Sequence, residues 1–162
     1  MQGSGSRIEA QGSGGDRMLG LDNLDRLFVI WAFFFQIVLI VHFVLRKRFF
    51  ESYTTRIGWV VYALAVPALA ISMILLLGRK PWSFWLGGLL FAIYAAYGYW
   101  VDYVKGISWR NPLRASIAVP YVLLYLGTVM FYWWPLGLLH RRLWIAFSVL
   151  FVVGTVLNIT SH

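Results

Sequence analysis

Residues 58–78 read GWVVYALAVPALAISMILLLG, a stretch without a single charge that is closed by Arg79-Lys80-Pro81. A bilayer hydrocarbon core is roughly 30 Å thick, and an α-helix needs about 20 apolar residues to cross it, so this run is long enough to span. Four more runs lie around it, each bounded by charge. Residues 27–45 carry only Gln36 and His42 as polar residues; Asp22 and Asp25 precede them and suit a helix N-terminus, while Arg46-Lys47-Arg48 follow and suit a C-terminus. Residues 84–104 hold one acid, Asp102, ahead of Lys105 and Gly106. Residues 115–134 lie between Arg110-Asn111-Pro112-Leu113-Arg114 and Pro135, and residues 143–159 follow His140-Arg141-Arg142. Backbone groups in lipid must be satisfied within the spanning element, and these continuous runs lack the period-two alternation of barrel strands. The sequence therefore predicts an all-α, polytopic integral membrane protein, a compact bundle of five transmembrane helices. Pro67 and Pro120 fall inside spans, where each removes a backbone hydrogen bond, so local bends are expected there.

Composition supports the same class. Of 162 residues 60% are hydrophobic and 12% charged, with mean hydropathy +0.72; a soluble domain has roughly 45–50% apolar and about 25% charged residues. The 14 Lys+Arg against 6 Asp+Glu sit in short stretches at helix ends, not on a contiguous polar domain, so no nucleic-acid partner is expected. The absence of cysteine excludes disulfides, thiolate metal sites, a Cys nucleophile and Cys-bound iron–sulfur or haem groups. Residues 1–17, MQGSGSRIEAQGSGGDR, cannot bury enough apolar surface to offset their ordering entropy, and read as a flexible Gly/Ser-rich leader or linker ahead of a single helical domain over 18–162.

Five spans put the termini on opposite sides. One side carries Arg46, Lys47, Arg48, Arg56, Lys105, Arg110 and Arg114; the other carries Arg17, Arg26, Arg79, Lys80, Arg141 and Arg142. The dense Arg46-Lys47-Arg48 cluster, with the acids Asp22 and Asp25 at the opposite end, favours an outside N-terminus and a cytoplasmic C-terminus in a cell (inner) membrane. Arg46, Lys47, Arg48, Lys105, Arg110 and Arg114 are the candidates to meet lipid headgroups.

Ionisable residues in a span cost about 2.5–3.5 kcal/mol at mid-membrane, so they face the bundle interior. Asp102 is the only acid in any span. Helical spacing groups it with Gly88, Ala92, Ala95 and Tyr99, and small residues let helices approach closely. An ion pair with Lys105 or Arg110 is the structural reading of Asp102, and a proton or cation site is the functional one. His42 falls at the same membrane end, where the two could meet as a relay or ligand anchor. His140 falls at the other end, which leaves no bis-histidine pair for a haem within one chain; no metal set is seen and no cofactor is identified. On the last span Gly154, Thr155 and Asn158 form a small polar face suited to helix–helix hydrogen bonding, and Gln36 suits the same purpose on the first. Tyr94, Tyr97 and Tyr99 run deeper than interfacial anchoring requires; they either pack against neighbouring helices or line a site for a lipophilic ligand.

The chain has no Gly-x-Ser-x-Gly, no paired intramembrane aspartates, no His-Glu-x-x-His and no Asp-rich metal motif. The sequence reading is thus a non-catalytic small membrane protein, either a subunit of a larger membrane complex or a binder of lipophilic ligands, with membrane lipids and further copies or other subunits as partners. The alternative is an oligomeric proton- or cation-coupled transporter or channel that uses Asp102. Single cysteines introduced at Gly3 and His162 in oriented vesicles should label from opposite sides; labelling of both from one side would mean a miscounted span.

Overall fold

A computed structural model describes residues 20–49, 59–106 and 114–160 of the chain. The leader 1–17 and Arg110 lie outside the described residues. The Asp22 carboxylate accepts from the Asp25 backbone N–H at 2.7 Å and so caps the first helix, α1 (Asn23–Arg48), which extends past the apolar run at both ends. The second span is two pieces, α2 (Trp59–Ala63) and α3 (Ala65–Leu77), separated by a turn at Leu64. The break is the expected consequence of Pro67, which has no N–H to offer the Ala63 carbonyl one turn earlier. The third span is α4 (Trp82–Tyr99) continued by a π-helical turn, Trp100–Val104. The fourth and fifth are α5 (Ala115–Leu139) and α6 (Arg141–Thr160). Among the described residues there is no strand, and five helical stretches are long and apolar enough to cross a membrane.

The sequence reading ended the fourth span before Pro135; the helix instead runs through both Pro120 and Pro135 to Leu139. Pro135 and Leu136 are fully buried, and their packing holds the segment helical despite the lost hydrogen bond. The break falls at His140, a single extended residue whose Nδ1 accepts from the Arg142 N–H at 3.1 Å, so the histidine caps α6.

Consecutive spans are antiparallel neighbours: α3 packs on α4, α4 on α5 and α5 on α6, and α1 closes the ring by packing on α6 while also touching α2, α3 and α5. The core is largely aromatic. Phe28, Trp31, Phe35, Leu39 and Phe43 form the inward stripe of α1, and Phe35 meets Phe91 at 4.6 Å and Tyr132 at 5.0 Å between ring centroids. Arg46 continues this stripe and is buried, 9% exposed, unlike the exposed Lys47 and Arg48 beside it. It stands three residues after Phe43, at the next core position of the helix.

Close approach is set by glycine. A Cβ at Gly88 would collide with Ser72 Oγ and would lie 2.6 Å from the Ala68 carbonyl; at Gly87 it would lie 3.2 Å from Tyr132 and 3.3 Å from Phe131. The packed face of α4 was expected to run through Gly88, Ala92, Ala95 and Tyr99. Gly88 and Ala95 are buried, but Ala92 is half-buried and Tyr99 is 47% exposed. The face turns instead towards Gly87, Phe91, Tyr94, Gly98 and Val101, because α4 is gripped from both sides and its two glycines at 87 and 98 widen the contact beyond one small-residue stripe.

The connection between α3 and α4 is tightly closed. Arg79 N–H donates to Leu76 O and Lys80 N–H to Leu75 O, both at 3.0 Å, with Arg79 in the left-handed region at φ 56°. This is a Schellman cap with arginine where glycine is usual. It aims Lys80 at the start of α1, where its ammonium donates to Asp22 at 2.7 Å and Asp25 at 2.6 Å. The hydrogen bond from Lys80, helped by the Asp25 backbone N–H and opposed by desolvation, holds Asp22 below its ordinary 3.8. Burial would lower Lys80, but its bonds to Asp22 and Asp25 outweigh that and raise it above 10.5. A depressed carboxylate stabilises the fold above its unfolded pKa and loses that effect as pH falls; a raised lysine stabilises below its unfolded pKa and loses it as pH rises. The melting-temperature difference between wild type and Lys80→Met in detergent should therefore be constant between pH 5 and 9, by these two ordinary values. It should shrink below about 3.8 and above about 10.5; a flat difference throughout would show the latch to be inert.

Candidate functional site

Three helices converge on the turn around Gly98. A Cβ there would lie 2.7 Å from Tyr62 Cε1 and 3.1 Å from Tyr121 Cε2, so the missing side chain is the seat on which a tyrosine from α2 and one from α5 come together. One turn further on, the chain passes into the π-helix that holds Asp102. Such turns insert a residue into the helix and recur at functional sites. The Tyr62 hydroxyl donates to Asp102 Oδ2 at 2.7 Å. The Tyr121 hydroxyl interacts with Tyr62 and accepts from Tyr94 at 2.7 Å. The four side chains thus form one hydrogen-bonded chain, from the buried middle of α4 to the half-buried carboxylate at its end.

The outer wall of this site is aromatic. Tyr99 and Tyr103 stack at 5.2 Å, and both meet Tyr62 edge to face, at 6.3 and 6.0 Å. Their exposures of 47% and 39% leave that wall open to the surroundings. Lys105 does not take the place beside Asp102 that sequence spacing offered it: its ammonium lies over the Trp100 ring, 5.5 Å from the centroid. His42 is half-buried, with its ring against Phe43 at 5.5 Å. Tyr97 is half-buried beside Trp100 at 6.5 Å. Lys47 reaches Thr160 at 3.2 Å, Arg48 lies over Phe49 at 5.8 Å, and Arg114 is exposed at the start of α5. The bond from Lys47 to Thr160 brings the C-terminal ends of α1 and α6 together.

Comparison with known protein families, with curated proteins and with solved structures finds no match. The chemistry of the site is therefore read from its own residues. Among the described residues no three His, Asp or Glu side chains gather as a metal ion would require.

Tyr62, Tyr121 and Gly98 escaped the sequence reading. One signal was present: Tyr121, Tyr125, Thr128 and Tyr132 follow each other at spacings of four, three and four, which puts their hydroxyls on one face of α5. The structure turns that face inward. Tyr132 accepts from Trp31 Nε1 at 2.9 Å, Thr128 donates to Leu124 O at 2.8 Å, and the buried Tyr125 hydroxyl has no partner among the described residues. No sequence spacing announces the pairing of Tyr62 with Asp102, which are 40 residues apart.

The expected polar face of α6 is realised in part. Gly154 is buried against Gln36, whose Nε2 donates to Leu150 O at 3.3 Å. Asn158 is half-buried, whereas the buried Thr155 Oγ1 has no partner among the described residues.

Gly98→Ala should push Tyr62 off its seat and break its bond to Asp102, destabilising the protein by about 1–3 kcal/mol in spite of the better helix former. In a Tyr62→Ala background the same change should cost little. A double-mutant cycle in detergent measures the coupling, and additive effects would refute the contact.

Proposed function

We propose that the chain is a non-catalytic integral membrane protein, with its five helices across a cell (inner) membrane, and that it binds an amphipathic ligand at the Asp102 end of α4. The observation that carries this reading is the hydroxyl of Tyr62 on Asp102, set beside an exposed aromatic wall. A carboxylate and phenol offer donors and acceptors to a polar head, and Tyr99 and Tyr103 offer apolar faces to the body of the same molecule. The basic residues Lys47, Arg48, Lys105 and Arg114 share this end of the bundle, which supports placing it on the cytoplasmic side with the C-terminus. Bond-making chemistry is not part of the proposal; the cluster as described pairs one acid with phenols.

A second reading, proton- or cation-coupled transport, draws on a specific feature, the line of hydroxyls from Tyr121 to Tyr132 that continues from Asp102 into the core. Phe35 packs against both Phe91 and Tyr132 beside that line, which favours ligand binding over passage.

Thermal unfolding in detergent, titrated with zwitterionic, anionic, cationic and uncharged amphiphiles, tests the proposal. At least one class should stabilise saturably, by about 2.7 kcal/mol at a hundredfold excess over its dissociation constant. Tyr62→Phe combined with Asp102→Asn should abolish this response. No saturable response, with pH-dependent flux in proteoliposomes that Asp102→Asn removes, would replace binding by transport.

A further inference from the structure

Of the four hydroxyls at positions 121, 125, 128 and 132 of α5, three are accounted for. Thr128 donates to the Leu124 carbonyl of its own helix at 2.8 Å, Tyr132 accepts from Trp31 Nε1 at 2.9 Å, and Tyr121 accepts from Tyr94 at 2.7 Å. The fourth, on Tyr125, is buried and has no partner among the described residues. A threonine can turn its short hydroxyl back to the carbonyl one turn earlier, as Thr128 does. The phenol oxygen of a tyrosine stands too far from its own backbone for that, so Tyr125 needs a partner from elsewhere. Going without is costly, because a hydroxyl shut away from solvent gives up its hydration with no return. We infer that Tyr125 and Tyr94 together hold one bound water molecule, which accepts a hydrogen bond from the Tyr125 hydroxyl and donates one to the Tyr94 oxygen. A water here needs no amphipathic ligand at the Asp102 end.

The direction of the hydrogen bonds decides what the occupant has to offer. Tyr94 gives its proton to Tyr121, and a hydroxyl has one proton and two lone pairs, so Tyr94 has only acceptor capacity left. Tyr125 has its proton unspent, and it lies near enough to Tyr94 to interact with it electrostatically. The two hydroxyls are not bonded directly. The rings of Tyr94 and Tyr121, which share a hydrogen bond, have centroids 4.7 Å apart, whereas those of Tyr94 and Tyr125 stand at 6.1 Å. A donor in need of an acceptor thus lies beside an acceptor able to take a donor, with a wider gap between them. An anion would leave Tyr94 without a donor, and a cation would leave the proton of Tyr125 without an acceptor. Water is small and neutral and does both at once, and buried waters serve polar groups of this kind. Its presence lengthens the hydrogen-bonded chain by one phenol, to Tyr125, and fixes the rotation of the Tyr94 hydroxyl at the inner end.

Tyr125→Phe in the full chain, melted in detergent, tests this by the sign of its effect. Removing an unpartnered buried hydroxyl raises the melting temperature, because its desolvation is no longer uncompensated. Removing one that is bonded to water should lower it, by roughly 2–4 °C for the loss of one hydrogen bond in a chain of this size. In a Tyr94→Phe background, where the water has lost its second anchor, the same change should cost less. Both substitutions keep the packed ring, so neither puts the fold at risk. A crystal structure of the wild type fine enough to show ordered solvent should place one peak within hydrogen-bond distance of both hydroxyls, and the map of Tyr125→Phe should lack it. A melting temperature unchanged or raised by Tyr125→Phe overturns the inference. So does a wild-type map in which the two hydroxyls bond each other, or stand apart with no solvent between them.

Discussion

The missing side chains at Gly87, Gly88 and Gly98 govern how closely α4 is approached, and the rest of the bundle is arranged around that approach. At Gly88 the backbone of α3 comes so near that a methyl group would strike the Ala68 carbonyl; at Gly87 it is the backbone of α5. Helices that are apolar all round gain little from the hydrophobic effect when they meet in lipid, so packing density and hydrogen bonds must hold them together. Glycine supplies the first by letting backbones touch. At Gly98 it also supplies the second, because only a bare Cα leaves room for Tyr62 and Tyr121 to reach one another.

The two ends of the bundle solve different problems. At the N-terminal end of α1 the chain spends its charge on closure: Lys80 is held in a Schellman cap and paired with Asp22 and Asp25, so a helix start and a loop 55 residues away are tied by one ammonium. At the other end the acid is not closed off by a lysine. Asp102 is met by a phenol, its neighbour Lys105 is turned onto Trp100, and two tyrosines face outward. Asp22 and Asp25 are bridged by one ammonium at 2.7 and 2.6 Å, whereas Asp102 accepts from a tyrosine hydroxyl at 2.7 Å. This contrast is what makes one end of the molecule structural and the other a candidate site.

The interior polar groups fit the same division. Trp31 with Tyr132, Trp133 with Ser148 and Gln36 with Leu150 each join two different helices, and each satisfies a donor that would otherwise be stranded among apolar side chains. The chain Tyr94–Tyr121–Tyr62–Asp102 differs in that its last member is half-exposed. It links the core to the surface and makes the position of Tyr62 depend on contacts deep in the bundle.

The sequence by itself determined that the chain is helical, that five stretches are long enough to cross a membrane, and where most of them stop, because length, charge and apolar continuity are local properties. It also determined that Asp102 needs a partner and that Gly88 and Gly154 lie at contacts. Only the tertiary structure decided which partner and which face. Helical periodicity fixes directions relative to one helix axis, but not the rotation of that helix against its neighbours; hence Tyr99 turned outward, Arg46 turned inward, and α5 continued through Pro135 because burial of Pro135 and Leu136 outweighs the hydrogen bond that proline removes. The Tyr62–Asp102 bond belongs to the same category. It joins residues 40 apart on different helices, and its existence rests on a glycine that appears in the sequence as nothing more than a gap between two tyrosines.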